Sequence, residues 1–147
     1  INMYRTDEGE VLKNDFLQRS AIIGKQLEEV LAIDSQRIDG VKQRLRSAVN
    51  DLKEKVDENR FEQEMIYYLE KYDITEEKVR LENHLSYFKE AVHSDDSNGK
   101  KLGFITQEIG REINTIGSKS NFAPMQQLVV QMKDELEKIK EQALNVL

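Results

Sequence analysis

The sequence predicts an all-α protein, an extended helical hairpin followed by a small antiparallel helical bundle. Three observations lead there. Apolar residues recur at steps of three, four and seven through most of the chain, the spacing of one helix face. No alternating apolar run of strand length competes with them. The composition agrees: 34% of the 147 residues are charged, 38% are hydrophobic, and Pro124 is the single proline.

Each element follows from its own pattern. Leu12, Phe16, Ile23, Leu27 and Val30 mark a first helix. A break is expected near Asp34-Ser35, where either side chain can accept the free N–H groups of a new helix. Ile38, Val41, Leu45, Ala48, Leu52 and Val56 then form a near-heptad, which calls for a partner helix. Gly40 weakens the start of that second segment. Residues 1–58 therefore read as a long helical pair, folded as a hairpin or bent at the break, and serving as an oligomerisation arm. Residues 59–147 read as a C-terminal bundle.

"DENR" at 57–60 is a soft boundary, after which Phe61, Met65, Tyr68 and Tyr72 give a short third helix. In "DITE" at 73–76, Asp73 and Glu76 can form an Asp variant of the capping box for a fourth helix. That helix turns Leu81, Leu85, Phe88 and Val92 inward. "SDDSNG" at 94–99 is a polar loop. A fifth helix runs from about Lys100 to Gly117, and "SKSN" follows as a loop. Pro124 suits the first turn of a sixth helix, with Leu128, Met132, Leu136, Ile139 and Ala143 on its inner face.

Composition also limits the chemistry. Without cysteine there is no disulfide, no thiolate nucleophile and no cysteine-type zinc site, which fits a reducing interior. No apolar run has the length of a membrane span, and the opening residues carry no signal-peptide pattern. The chain passes from Ile1 almost directly into helical pattern, so a fragment of a longer protein is expected. A net charge of −6 argues against a general nucleic-acid coat but leaves room for a local basic site. Gly99-Lys100 lacks the upstream Gly and the following Ser or Thr of a phosphate loop, and neither His-Glu-x-x-His nor Gly-x-Ser-x-Gly occurs.

The informative stretch is "GFITQEIGREINTIGSKSN", residues 103–121. Wound as a helix, it carries one apolar stripe of Leu102, Ile105, Ile109, Ile113 and Ile116. Glu108, Glu112, Thr115 and Lys119 form a second stripe on its shoulder. A shoulder borders the core, where partial desolvation strengthens electrostatics. Carboxylates one turn apart can share a divalent cation. The plainer reading, an exposed charge cluster, has the greater weight from spacing alone. Glu77, Arg80, His84 and Tyr87 make a similar row on the fourth helix, and Glu64 lies on a shoulder of the third. His84 could bind a metal or move a proton, although a lone helix-surface histidine is more often only hydrogen-bonded. His93, near a helix end, reads as a favourable C-terminal residue. Three helices thus offer acids, and one offers a histidine, to a cleft they could share.

These residues also resemble a known family. "QEIGREINTIGSKSN" (107–121) is similar to the C-terminal signature of the YicC-like bacterial endoribonucleases. "RFEQEM" (60–65) resembles that family's Arg-x-x-Gln-Glu element, and "DITEEKVRLENHLSYF" (73–88) its Asp-Ile-x-Glu-Glu-x-x-Arg-Leu-x-x-His segment. Upstream, "YRTDEGEVLKNDF" is the best local match. The family's N-terminal domain, which opens with a Met-Thr-Gly-Phe-Gly-type segment, has no counterpart here.

The resemblance implies a cytoplasmic, divalent-metal-dependent nuclease that cuts single-stranded RNA and forms ring-like homo-oligomers. It implies Mg²⁺ or Mn²⁺ as cofactor, held by Glu108, Glu112 and His84 with Glu77 or Glu64. Mixed carboxylate and imidazole ligands favour Mn²⁺. His84, Glu108 and Glu112 would be catalytic. Arg60, Arg80, Arg111, Asn114, Ser118 and Lys119 would contact RNA, while Asp73 and Glu76 match the family pattern as helix caps or as site residues. The competing expectation is a non-catalytic helical assembly module, with the chemistry or RNA grip in the N-terminal domain.

Overall fold

The computed structural model describes residues 7–51, 57–94 and 99–144. Within them lie five helices and no strand: α1 (Asp7–Asp51), α2 (Glu58–Lys71), α3 (Thr75–His93), α4 (Gly99–Lys119) and α5 (Ala123–Leu144). The all-α expectation holds. Among the described residues, no helix is long and apolar enough to cross a membrane.

The break expected near residue 34 does not occur, and α1 runs unbroken through 45 residues. Asp34 caps nothing. Its Oδ1 instead accepts a hydrogen bond from Arg37 Nε at 2.7 Å, one turn on. A residue able to cap need not do so where its side chain has a better partner along the helix and the backbone bonds continue. The hairpin lies further along the chain. Arg46 donates to Glu58 at 3.0 Å and sits 4.2 Å over the Phe61 ring, while Arg37 donates to the Tyr72 carbonyl. The end of α1 and the whole of α2 therefore run antiparallel. The expected apolar positions Leu52 and Val56 lie outside the described residues.

The core is built by α1, α3, α4 and α5. Phe16, Ile23, Leu27 and Val30 of α1 join Leu81, Phe88 and Val92 of α3, all five stripe residues of α4, and Met132, Leu136, Ile139 and Ala143 of α5. Phe16 and Phe88 meet edge to face at 5.8 Å, a favoured aromatic geometry. Gly110 and Gly117 let α4 approach α5, since a Cβ there would lie 3.1 Å from Leu136 and from Val129 respectively. The first part of α1 thus shares one core with the bundle, and its second part leaves the bundle with α2. No residue of α2 is buried. Its N-terminus is capped by Asp57, which accepts from the Asn59 and Arg60 N–H groups.

The capping box expected at α3 is also absent. The N-cap residue is Ile74, which makes no side-chain capping bond. Burial of Ile74 in the core draws the chain inward at this point and leaves Asp73 outside. Asp73 Oδ1 accepts instead from the Thr75 hydroxyl at 2.9 Å, and Glu76 reaches forward to Arg80 at 3.2 Å. Pro124 lies in the first turn of α5, as expected.

Candidate functional site

The site is built where α3 begins and α4 ends. The two helices run antiparallel, so Glu77 and Arg80 in the first turns of α3 face the last turns of α4. Arg80 Nε donates to Glu112 Oε1 at 2.9 Å, and its Nη2 lies 3.5 Å from Glu77 Oε1. The two carboxylates therefore flank one guanidinium. Lys119 Nζ donates to the same Glu77 oxygen at 2.8 Å and to the Asp73 carbonyl at 3.0 Å. Two acids and two bases form a cluster at one end of the bundle, with the exposed Glu76 as a further partner of Arg80.

Burial sets this cluster apart from surface ion pairs. Glu77 is 3% exposed and Glu112 is 5% exposed. Removing a carboxylate from water is costly unless both of its oxygens find partners. Each acid here has one oxygen, Glu77 Oε2 and Glu112 Oε2, that is buried and accepts no hydrogen bond. Arg19 offers a contrast, because it ties Asp15 of α1 to Glu135 of α5 with both acids partly open to solvent. The guanidinium of Arg80 is held above its ordinary value, chiefly by the hydrogen bond to Glu112 and against desolvation. It keeps its charge at any accessible pH.

The expected residues divide into four groups. Glu77, Arg80, Glu112 and Lys119 come together. Glu108 lies one turn from Glu112 on α4, with Arg111 Nη2 at 3.7 Å as its ion-pair partner. His84 is half-buried on α3, and the register of the Arg80–Glu112 and Glu77–Lys119 pairs puts it level with Glu108. Arg111, Asn114 and Ser118 lie exposed along the outer side of α4, where the Ser118 hydroxyl donates to the Thr115 carbonyl. Arg60 and Glu64 are exposed on α2.

The joint metal site expected from Glu108, Glu112 and His84 is not assembled. Among the described residues, no three of His, Asp and Glu are placed to hold one metal ion. The reason is geometric. Arg80 is long enough to cross from α3 to α4 and takes Glu112 Oε1. What remains is a pair of hard oxygen donors, Glu77 and Glu112, each with an oxygen to spare. Carboxylate oxygens are the donor type that Mg²⁺ takes.

The sequence reading missed Arg37. This α1 residue is 3% exposed. Its Nη1 donates to the Lys119 carbonyl at 3.1 Å and its Nη2 to the Tyr72 carbonyl at 2.9 Å, beside the site. The signal was present in its spacing. Arg37 stands seven residues after Val30 and four before Val41, on the stripe that the core occupies.

Residues 30–147 match the family described as "Endoribonuclease YicC-like, C-terminal". The chain belongs to that family. It is similar to a protein of Clostridioides difficile named "Probable endoribonuclease YicC", at 39% identity over 145 residues. It is also similar to a protein of Haemophilus influenzae with the same name, at 32% identity over 142 residues. Each match covers 97% of this chain and 50% of the relative, so the chain spans about half the length of the curated relatives it matches. The ion cluster lies inside the matched segment. A groove of about 530 Å³ at the other end of α4, lined by Gly103, Phe104, Lys140 and Leu144, is remote from it.

Proposed function

We propose that this chain is the C-terminal helical part of a divalent-metal-dependent endoribonuclease that cuts single-stranded RNA by phosphodiester hydrolysis. The observation that carries the reading is the buried Glu77–Arg80–Glu112–Lys119 cluster, whose two acids keep an unpaired oxygen each. A bundle seeking only stability would do as well with apolar side chains there. Membership of an endoribonuclease family supports the same reading.

Glu77 and Glu112 would hold the cation, Mg²⁺ in preference to Mn²⁺, since His84 does not join them. When bound, such an ion lowers the pKa of a coordinated water and neutralises charge on the attacked phosphate. Arg80 is about half open to solvent, and its planar guanidinium suits a phosphate oxygen pair. Lys119 adds a point charge on the same side. Arg111, Asn114 and Ser118 extend a polar rim along α4 that suits an RNA backbone, with Arg60 on α2 as a more distant contact. His84 and Glu108, one turn away, are the groups able to take or give the proton of the leaving oxygen. Glu64 has no role in this arrangement.

A homo-oligomer forms part of the proposal. Ile66 and Tyr67 on α2 are 55% and 67% exposed, and among the described residues α2 packs only on α1. Apolar surface of this kind marks an assembly face. This feature also favours the second reading, in which the chain is an assembly module and the chemistry lies elsewhere. The absence of cysteine is consistent with work in the cytoplasm.

Glu112→Gln in the full-length protein decides between the readings. It keeps shape and removes charge, so RNA cleavage should be lost while the fold is retained. Calorimetric titration with Mg²⁺ or Mn²⁺ should show binding to the natural sequence and much weaker binding to the variant. Full cleavage by Glu112→Gln would reject the site.

A further inference from the structure

We infer that Arg37 is a positioning residue for this site, fixing the Lys119 ammonium on Glu77 from the opposite side of the chain. The inference rests on the proposed reading of the cluster. Two helices end beside Arg37, α2 at its C-cap Tyr72 and α4 at Lys119. Helix C-termini present carbonyls without partners inside the helix, together with the negative end of the helix dipole. The Arg37 guanidinium answers both at once. Nη1 donates to the Lys119 carbonyl at 3.1 Å, Nη2 to the Tyr72 carbonyl at 2.9 Å, and Nε is held by Asp34 at 2.7 Å.

Those two carbonyls are the main-chain points from which the Lys119 side chain is aimed. One belongs to Lys119 itself. The other precedes Asp73, whose own carbonyl accepts from Lys119 Nζ at 3.0 Å. The other hydrogen bond of the ammonium goes to Glu77 Oε1 at 2.8 Å. The bonds of the Arg37 guanidinium go to Asp34, Lys119 and Tyr72 rather than to Glu77, Arg80 or Glu112, so its effect on the cluster passes through the backbone of two helix ends. A flexible lysine loses much rotamer freedom when it is held this way, and a fixed guanidinium fork is the side chain that can hold two carbonyls in one geometry. The remainder of α4's end is secured separately: the Ser120 hydroxyl donates to the Ile116 carbonyl, and the Gln126 amide donates to the Gly117 and Ser120 carbonyls. Loss of Arg37 therefore loosens the aim of Lys119 more than it unravels the helix.

The test is Arg37→Lys in the full-length protein, assayed on a single-stranded RNA oligonucleotide. Lysine keeps the charge but cannot span both carbonyls. The expected result is a fall in kcat of about tenfold to a hundredfold from a small displacement of the site, with KM changed less than about threefold. A cycle with Lys119→Met separates positioning from general weakening. If Arg37 acts through Lys119, the lysine substitution should cost far less in the Arg37→Lys background than in the natural sequence. Additive losses, or an unchanged kcat, would overturn the inference. If circular dichroism finds Arg37→Lys unfolded, Asp34→Ala takes its place, since it removes only the acceptor on the Nε edge. A smaller fall in kcat with KM unchanged then supports the inference, and an unchanged kcat overturns it. Cleavage by Glu112→Gln would instead strike at the site itself, whatever Arg37 does.

Discussion

Replacing Lys119 by Met and Glu77 by Leu, singly and together, separates what the ion cluster does for folding from what it does for chemistry. Lys119→Met removes two hydrogen bonds, one to the Asp73 carbonyl and one to Glu77 Oε1. It also leaves a carboxylate that is 3% exposed and already has one unpaired oxygen. Stripping a partner from a buried charge costs about 3–5 kcal/mol where nothing else stands near. Arg80 Nη2 remains 3.5 Å from the same oxygen, and Lys119 is partly open to solvent, which softens the loss. The expected destabilisation is about 2 kcal/mol, or a fall in melting temperature of about 6 °C for a chain of this size. Glu77→Leu alone should cost less, because the lysine can turn to water. The double variant buries no charge at this position, and apolar replacement of a buried pair is commonly neutral or stabilising. Its stability should return to within about 1 kcal/mol of the natural chain. Thermal unfolding of all four proteins, followed by circular dichroism, gives the answer. If the double variant loses the sum of the two single losses, the two side chains act independently and the reasoning from a coupled buried pair is refuted.

Other expectations are simpler. Gly40 lies inside α1, and a Cβ added there would meet nothing within 4 Å, so Gly40→Ala should stabilise by about 0.5–1 kcal/mol in urea unfolding. Gly117→Ala should show no such gain, since its Cβ would press on Val129 at 3.1 Å, and a loss of about 1 kcal/mol is expected. Tyr67→Lys should leave the helical fold unchanged while weakening self-association in light scattering; equal association would remove α2 from the assembly face. The chain by itself should cut RNA poorly, because a net charge of −6 gives little long-range attraction for phosphate. Strong cleavage at moderate salt would contradict that.

Most of the fold was legible because buried helices leave a periodic record. The stripe read from α4 is buried at every position, and the inner faces of α3 and α5 are buried or partly buried throughout. The error at residue 34 has a different origin. Asp34 and Ser35 have the chemistry of an N-cap, but that chemistry is equally served by an arginine one turn along. Arg37 is such a residue, and it holds Asp34 inside a continuous helix. The end of α3's preceding loop repeats the lesson. Asp73 was eligible to cap, yet burial of Ile74 decided where the helix begins, and a local hydrogen bond yields to a core side chain when the two compete.

The site was legible in one coordinate and hidden in another. Periodicity fixes the angle of a side chain about its own helix axis, so Glu77, Arg80, Glu108, Glu112 and Lys119 could all be placed beside the core from sequence alone. It says nothing about the axial offset between two helices, which is set by the loop and by how the ridges of α3 and α4 mesh. A shift of one turn decides whether Glu112 meets His84 or Arg80. The observed offset puts Arg80 opposite Glu112 and Lys119 opposite Glu77, and it leaves His84 level with Glu108. The chemistry expected of one histidine and two acids is thereby divided, in the proposed reading, between two neighbouring layers, a cation-binding layer at Glu77 and Glu112 and a proton-handling layer one turn away. Glu112→Gln should therefore abolish metal binding and cleavage together, whereas His84→Gln should spare metal binding and lower kcat alone. Loss of metal affinity in His84→Gln would mean that the layers act as one site after all.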